Sequence, residues 1–260
     1  MTERNRLRSI LTLAVMNGLV PMRTQPLYLI NTIASPLAFL FFIVVVSHGA
    51  GVSASVGRTM VLYAIAGGFV LTMVSIGTGL QTDMTHYKAD LKFQDLIVAS
   101  PVEAPTYVAG MALSELIYSL PGLAVFALLW VDQAGWPSPV DAVATLLCLV
   151  MVWAFASALG FTLATYFADV RETFVFSPLI SLGLSVLPPV YYSARILPSW
   201  AQPLVYLSPT TYAADLLHRS FHLTLLGPYL LPAWLDWLAL SAFTVGLFLL
   251  AALKARWREP

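Results

Sequence analysis

The chain has 260 residues, 59% of them hydrophobic and 10% charged, with 13 basic and 13 acidic side chains and a formal net charge of zero. Its mean hydropathy of +0.81 and apolar stretches near the ~20 residues that cross ~30 Å of hydrocarbon exclude an ordinary soluble fold and predict a polytopic membrane protein. Zero net charge argues against a general nucleic-acid binder, and the single cysteine, Cys148, excludes an intrachain disulfide.

Residues Arg4 to Val20 carry a helical period, with Leu7, Ile10, Leu11, Ala14 and Val15 on one face and Asn5, Arg8, Ser9 and Thr12 on the other. Pro21 and Pro26 limit its continuation. Residues 1–26 are therefore expected to form an amphipathic interfacial helix on the membrane surface. A signal peptide competes, since Arg4, Arg6 and Arg8 precede a short apolar stretch, but MNGLVPM offers no small-residue cleavage site.

Six spans follow. The first is Leu29–His48, with Asn31, Ser35 and Pro36 in its first turns, and Gly49–Gly57 is a short turn. The second, Thr59–Leu80, has smooth helix-contact surfaces at Ala64/Gly68 and Gly77/Gly79. The third, Tyr107–Val131, carries Glu115 and Pro121, and a polar cap, Asp132–Asp141, leads to the fourth, Ala142–Phe167, with the pair Ala156/Gly160. A short link, Ala168–Thr173, leads to the fifth, Phe174–Val190, ending at Pro188-Pro189, and the sixth is Ala233–Leu253. Between the last two, residues 191–232 hold apolar pieces too short to cross, which read as re-entrant or interfacial helices lining protein or a wet cavity. Residues 1–260 read as one membrane domain.

Between the second and third spans lies a polar island, residues 81–106, with Asp83, Lys88, Asp90, Lys92, Asp95 and Glu103. It is expected in water. A helix over Thr85–Ala99 would place Lys88, Lys92 and Asp95 within a sector of about 60 degrees. The apolar residues Tyr87, Leu91, Phe93, Leu96, Ile97 and Val98 would then need burial against the membrane part or a partner. A solvated charged face is the ordinary alternative.

With the N-terminus inside the cell, ten basic residues fall on cytoplasmic segments: Arg4, Arg6, Arg8, Arg23, Lys88, Lys92, Arg171, Lys254, Arg256 and Arg258. Only Arg58, Arg195 and Arg219 fall opposite, so both termini and the island are expected in the cytoplasm. Trp130, Trp136, Trp200, Trp234, Trp237 and Trp257 fall near the proposed boundaries.

Nothing matches G-x-x-x-x-G-K-[ST], so the chain has no phosphate-cradling loop. Uphill transport then needs coupling ions or a separate engine. Glu115 is the clearest intramembrane carboxylate, a candidate for the substrate path or for helix contact. Asp215, His218 and His222, at i, i+3 and i+7, could share a helix face and bind a metal, though a gate helix is the simpler reading.

Two stretches carry a resemblance. DLKFQDLIVASPVEAPTYVAG (Asp90–Gly110) is similar to the cytoplasmic-loop signature of type-2 ATP-binding-cassette exporter permeases, where a charged helix leads to L-x-x-x-P-V. LPPVYYSARILPSWAQPLVYLSPTTYAADLLHRSF (Leu187–Phe221) resembles that family's Pro-aromatic end of the fifth span, then LP-x-W and L-x-P-x-x-Y-x-x-D-x-x-R. Leu197, Pro198, Trp200, Leu207, Pro209, Tyr212, Asp215 and Arg219 occupy those positions, Arg219 one residue late. The family's Arg-x-x-Gly-Thr-Leu-Glu is not kept before Pro101; Lys88 precedes Asp90 to Asp95, with Asp95 in the place of the Glu.

The resemblance implies an all-α permease that is not itself catalytic. It would pair with a second permease copy, in a homodimer, and with cytoplasmic ATPase subunits that bind ATP-Mg. Lys88, Asp90, Lys92, Asp95 and Pro101 would meet the ATPase. Glu115, Pro188, Pro189, Tyr191, Tyr192, Pro209, Tyr212 and Asp215 would line the substrate path or gate. The expected cargo is amphipathic or hydrophobic, drug- or lipid-like, and the expected location a prokaryotic plasma membrane. The alternative is a membrane-integral enzyme or ion-coupled carrier using Glu115.

Overall fold

The computed structural model describes residues 3–24, 26–49, 51, 53–92, 102–167, 169–224 and 229–254, with no strand among them. Helix α1 (Glu3–Ala14) runs through a π-helical turn, Val15–Leu19, into α2 (Val20–Thr24). Then come α3 (Pro26–Gly49), α4 (Ala54–Ala89), α5 (Ala104–Ala134), α6 (Pro139–Tyr166) and α7 (Val170–Ser185). Two 3-10 turns, Ala194–Ile196 and Gln202–Leu207, lead to α8 (Pro209–Ser220), and α9 (Ala233–Lys254) follows.

Helix starts follow local chemistry. Ser138 Oγ accepts from the Asp141 N–H ahead of α6, with Pro139 at the first helical position, and the Asp169 side chain accepts from the Arg171 N–H ahead of α7. Among the described residues four helices, α4, α5, α6 and α9, are long and apolar enough to cross a membrane. Helix α3 has 24 residues, enough by length, though several of its side chains lie outside the description. Helix α7, with 16 residues, reaches only ~24 Å.

Helix α4 is the axis of the bundle. Leu62 through Val70 are buried in unbroken sequence, so every face of that stretch meets protein. Helices α3, α5, α6, α7 and α8 all pack on it. The α4–α6 crossing is backbone on backbone: a Cβ at Gly77 would overlap the Ala156 carbonyl, and one at Gly160 the Gly77 carbonyl. Gly77, Ala156 and Gly160, read from the sequence as small-residue contact positions, thus set this close crossing.

Several expected boundaries move. The second span does not stop at Leu80; α4 continues to Ala89, carrying the first nine residues of the island. Gln81 is fully buried, beside Gly77 and Gly160 and across from Ile180 and Leu184 of α7, so the island does not begin in water. The helix expected over Thr85–Ala99 is interrupted: the Asp90 and Leu91 N–H groups both bond the His86 carbonyl, and Lys92 takes a left-handed φ of 50°. The helical period of the sequence ran through this stop because Tyr87 and Leu91 are apolar on either side of it.

Trp130, four residues from the end of α5, does not face outward. It is buried, stacked on Phe221 with centroids 4.2 Å apart. Trp136, Trp200 and Trp234 are exposed, and Trp257 lies outside the described residues. Pro21 does not end the first helical segment but sits inside α2.

Candidate functional site

Two polar constellations stand at opposite ends of the bundle. The first gathers α1, the end of α4 and the start of α5. The backbone of the π turn lies against α5, so that a Cβ at Gly18 would sit 2.8 Å from the Ser114 carbonyl oxygen. The Asn17 side chain donates to the Leu13 carbonyl at 3.0 Å and accepts from the Tyr87 hydroxyl at 3.0 Å. One residue on from Ser114, the Glu115 carboxyl stands beside that of Asp83 and lies against Gly79, where a Cβ would be 2.6 Å from Oε2. Arg6 of α1 pairs with Glu103, just ahead of α5, at 2.7 Å.

The amphipathic reading of α1 divides in two. Ala14 is buried and Leu13 packs against Gly110 of α5, whereas Leu7, Leu11, Val15 and Met16 stay exposed. One apolar stripe packs on the bundle and another stays exposed.

The candidate ATPase contacts are placed as follows. Lys88 is half-buried in the last turn of α4, and Asp90 is exposed and pairs with His86 at 2.7 Å. Lys92 is exposed beyond the left-handed stop, so it does not continue the face that carries Lys88. Asp95 and Pro101 lie outside the described residues. Glu115 belongs to this same constellation rather than standing alone in a span.

The second constellation joins α8 to the start of α9. Arg219 donates to Asp215 at 3.0 Å and to the Leu231 carbonyl, faces Asp236 at 3.5 Å, and lies 4.2 Å from the Tyr229 ring centre. Asp215 also accepts from the Leu230 N–H at 3.2 Å. The carboxyl oxygens of Asp236 are buried with no hydrogen-bond partner, and the Arg219 guanidinium stands 3.5 Å away. The extra residue between Asp215 and Arg219 puts the two at i, i+4, the spacing at which helical side chains face each other.

Pro188, Pro189 and Val190 are buried after α7. The Tyr191 ring lies where a Cβ on Gly67 of α4 would be, and the Tyr192 hydroxyl donates to the Leu187 carbonyl at 2.7 Å. Pro209 opens α8, and the Tyr212 hydroxyl donates to the Tyr206 carbonyl at 2.7 Å. His218 is buried, edge-on to Tyr63 with centroids 4.5 Å apart and within 3.1 Å of the Val190 carbonyl. Burial lowers its pKa to about 4.

The three suggested metal ligands do not converge. Asp215 faces Arg219, His218 faces Val190, and His222 lies past the helix end at φ 54°, 3.4 Å from Asp141. No metal-holding group of His, Cys, Asp or Glu occurs among the described residues. Sequence reading missed Asn17, Tyr87 and Tyr63 as partners, and no local pattern pointed to them.

These features define a multi-pass helical membrane protein whose polar contacts concentrate at the two ends of its spans. The family model for the ABC-2 type transporter matches residues 10–222, from the second half of α1 to just past the end of α8, and the chain belongs to that family. It is an ABC-type permease. No curated protein matches the chain.

Proposed function

We propose that the chain is the membrane half of an ATP-driven exporter. Six spans, with α3 and α7 added to the four long apolar helices, place both termini and residues 81–106 in the cytoplasm. A separate ABC ATPase subunit binds there and supplies ATP-Mg hydrolysis. A second copy of the permease completes the path, in a homodimer, and residues 191–232 form the outer gate. The cargo is an amphipathic or hydrophobic, drug- or lipid-like molecule, and the location is a prokaryotic plasma membrane.

The observation that carries this reading is the family match, and the locking of α1 and the π turn to the two sides of the island agrees with it. Asn17 holds Tyr87 on one side of the island and Arg6 holds Glu103 on the other. A force applied to the island therefore reaches α4, α5 and the N-terminal helix together.

The test is co-purification of the full-length chain with its ATPase. Reversing the charges of Lys88, Lys92 and Asp95 together is expected to weaken the complex. Undiminished co-purification would count against docking at the island, and transport that persists under ATP depletion would overturn the ATP-driven mechanism.

A further inference from the structure

The stretch after α7 exposes apolar side chains where a water-facing loop would hide them. Ile196 is 64% exposed, Trp200 74% and Leu207 73%, and Leu204 is exposed between them. The length of α7 explains what covers them. Asp169, Arg171 and Glu172 fix its first turn at a membrane boundary, and its 16 residues rise only ~24 Å. The hydrocarbon is ~30 Å thick, so Ser185 stops several ångströms short of the far boundary even with α7 upright. The chain then passes through the buried Pro188–Val190 into the two 3-10 turns, and the short span argues for an interfacial depth there.

Beside this apolar surface is a cavity of about 410 Å³, lined by Ala194, Arg195, Gln202, Tyr206, Tyr229 and Leu230. That size lies within the ~300–1,000 Å³ of small-ligand sites. Its polar equipment suits an anion. Arg195 is exposed, and the described residues supply it no carboxylate partner. Gln202 uses one N–H on the Leu197 carbonyl at 3.0 Å, leaving its second N–H free to donate. Arg219, behind the Tyr229 ring, is already met by Asp215 and Asp236. Arg195 is the cation left for a ligand.

We propose that this cavity holds the phosphodiester headgroup of a phospholipid in the leaflet at the α8 end of the bundle. Arg195 and Gln202 bind the phosphate, Tyr206 and Tyr229 wall the headgroup, and the acyl chains run down over Ile196, Leu204 and Leu207. The alternation along the sequence supports this: the polar cavity-lining residues Arg195, Gln202 and Tyr206 are each within two positions of an exposed apolar one. A guanidinium at the edge of hydrocarbon is stabilised by reaching a phosphate. The site needs only the membrane setting and is independent of any ATPase.

Two measurements on the full-length chain test it. A spin label on Leu204→Cys, in a Cys148→Ala background and in vesicles of phosphatidylethanolamine and phosphatidylglycerol, is expected to be more accessible to oxygen than to a water-soluble nickel chelate. The reverse order would place the stretch in water and overturn the proposal. Native mass spectrometry is expected to find one retained phospholipid per chain that Arg195→Gln reduces roughly tenfold, the loss of one charge-assisted contact, while Arg195→Lys keeps part of it. Equal retention by wild type and Arg195→Gln would overturn it. Displacement of the lipid by inorganic phosphate would assign the site to a free anion instead.

Discussion

The Tyr87 hydroxyl and the Asn17 side-chain oxygen meet at 3.0 Å, joining the far end of the longest helix to a π-helical turn near the N-terminus. Widened turns of this kind often mark functional positions. Here the Asn17 amide is oriented on both sides, its N–H held by the Leu13 carbonyl inside the turn and its oxygen by Tyr87 outside it. The contact is half-buried, whereas the Arg6–Glu103 pair, which ties α1 to the start of α5, has both side chains close to half exposed.

That difference separates two variants. Tyr87→Phe is expected to cost ~1 kcal/mol, insensitive to salt, because it removes a part-buried hydrogen bond. Arg6→Ala is expected to cost less than ~1 kcal/mol, and most of that vanishes at high ionic strength, because water and ions screen the pair. Unfolding in detergent at low and high salt measures both. A larger, salt-independent loss for Arg6→Ala would refute the ranking.

Glycines divide by what surrounds them. Gly160→Ala places its Cβ on the Gly77 carbonyl of the neighbouring backbone, so α4 and α6 must move apart and the folded protein should be largely lost. A Cβ at Gly183 or Gly246 meets nothing within 4 Å, and Ala there is expected to gain ~0.5–1 kcal/mol from helix propensity. Size-exclusion profiles and melting curves of the three variants decide it. Normal behaviour of Gly160→Ala would contradict the backbone crossing.

Removing Arg219 leaves two carboxylates, Asp215 at 5% and Asp236 at 1% side-chain exposure, without their cation. Arg219→Gln is expected to cost ~3–5 kcal/mol. Adding Asp236→Asn should recover part of the loss, because it removes a buried acidic group that faces Asp215 and has no hydrogen-bond partner of its own. If the double variant is less stable than Arg219→Gln alone, the ion-pair account is wrong.

Acid sensitivity should have one identifiable source at this end of the bundle. His218 is neutral and buried, with Tyr63, Asp215 and the Val190 carbonyl around it, and burial holds its pKa at about 4. The unfolded chain binds a proton near pH ~6.5 and the folded one does not. Its contribution is therefore complete above ~6.5 and falls as the pH drops towards 4, by about 3 kcal/mol in all. Melting temperatures of wild type and His218→Gln, followed from pH 7.5 to 5, should converge at the acid end. Parallel curves would exclude this residue.

Much of this protein was legible in its sequence, because a membrane fold is governed by length and apolarity. A span needs about twenty apolar residues wherever it occurs, so the four helices long and apolar enough to cross, α4, α5, α6 and α9, were legible from length and apolarity, and Gly77, Ala156 and Gly160 were read as contact surfaces. The Asp215–Arg219 pairing was written in its i, i+4 spacing. What only the tertiary structure decided was where polarity ends up. Gln81 and Asp83 looked like the start of an aqueous island and instead extend α4 into the packed bundle, because α6, α7 and α5 lie against that turn. Glu115 looked solitary until α4 brought Asp83 beside it, and Asn17 and Tyr87, 70 residues apart, share no pattern that periodicity can register. Helical spacing reaches four residues along the chain; contacts between helices depend on which faces turn together, and that is fixed by packing.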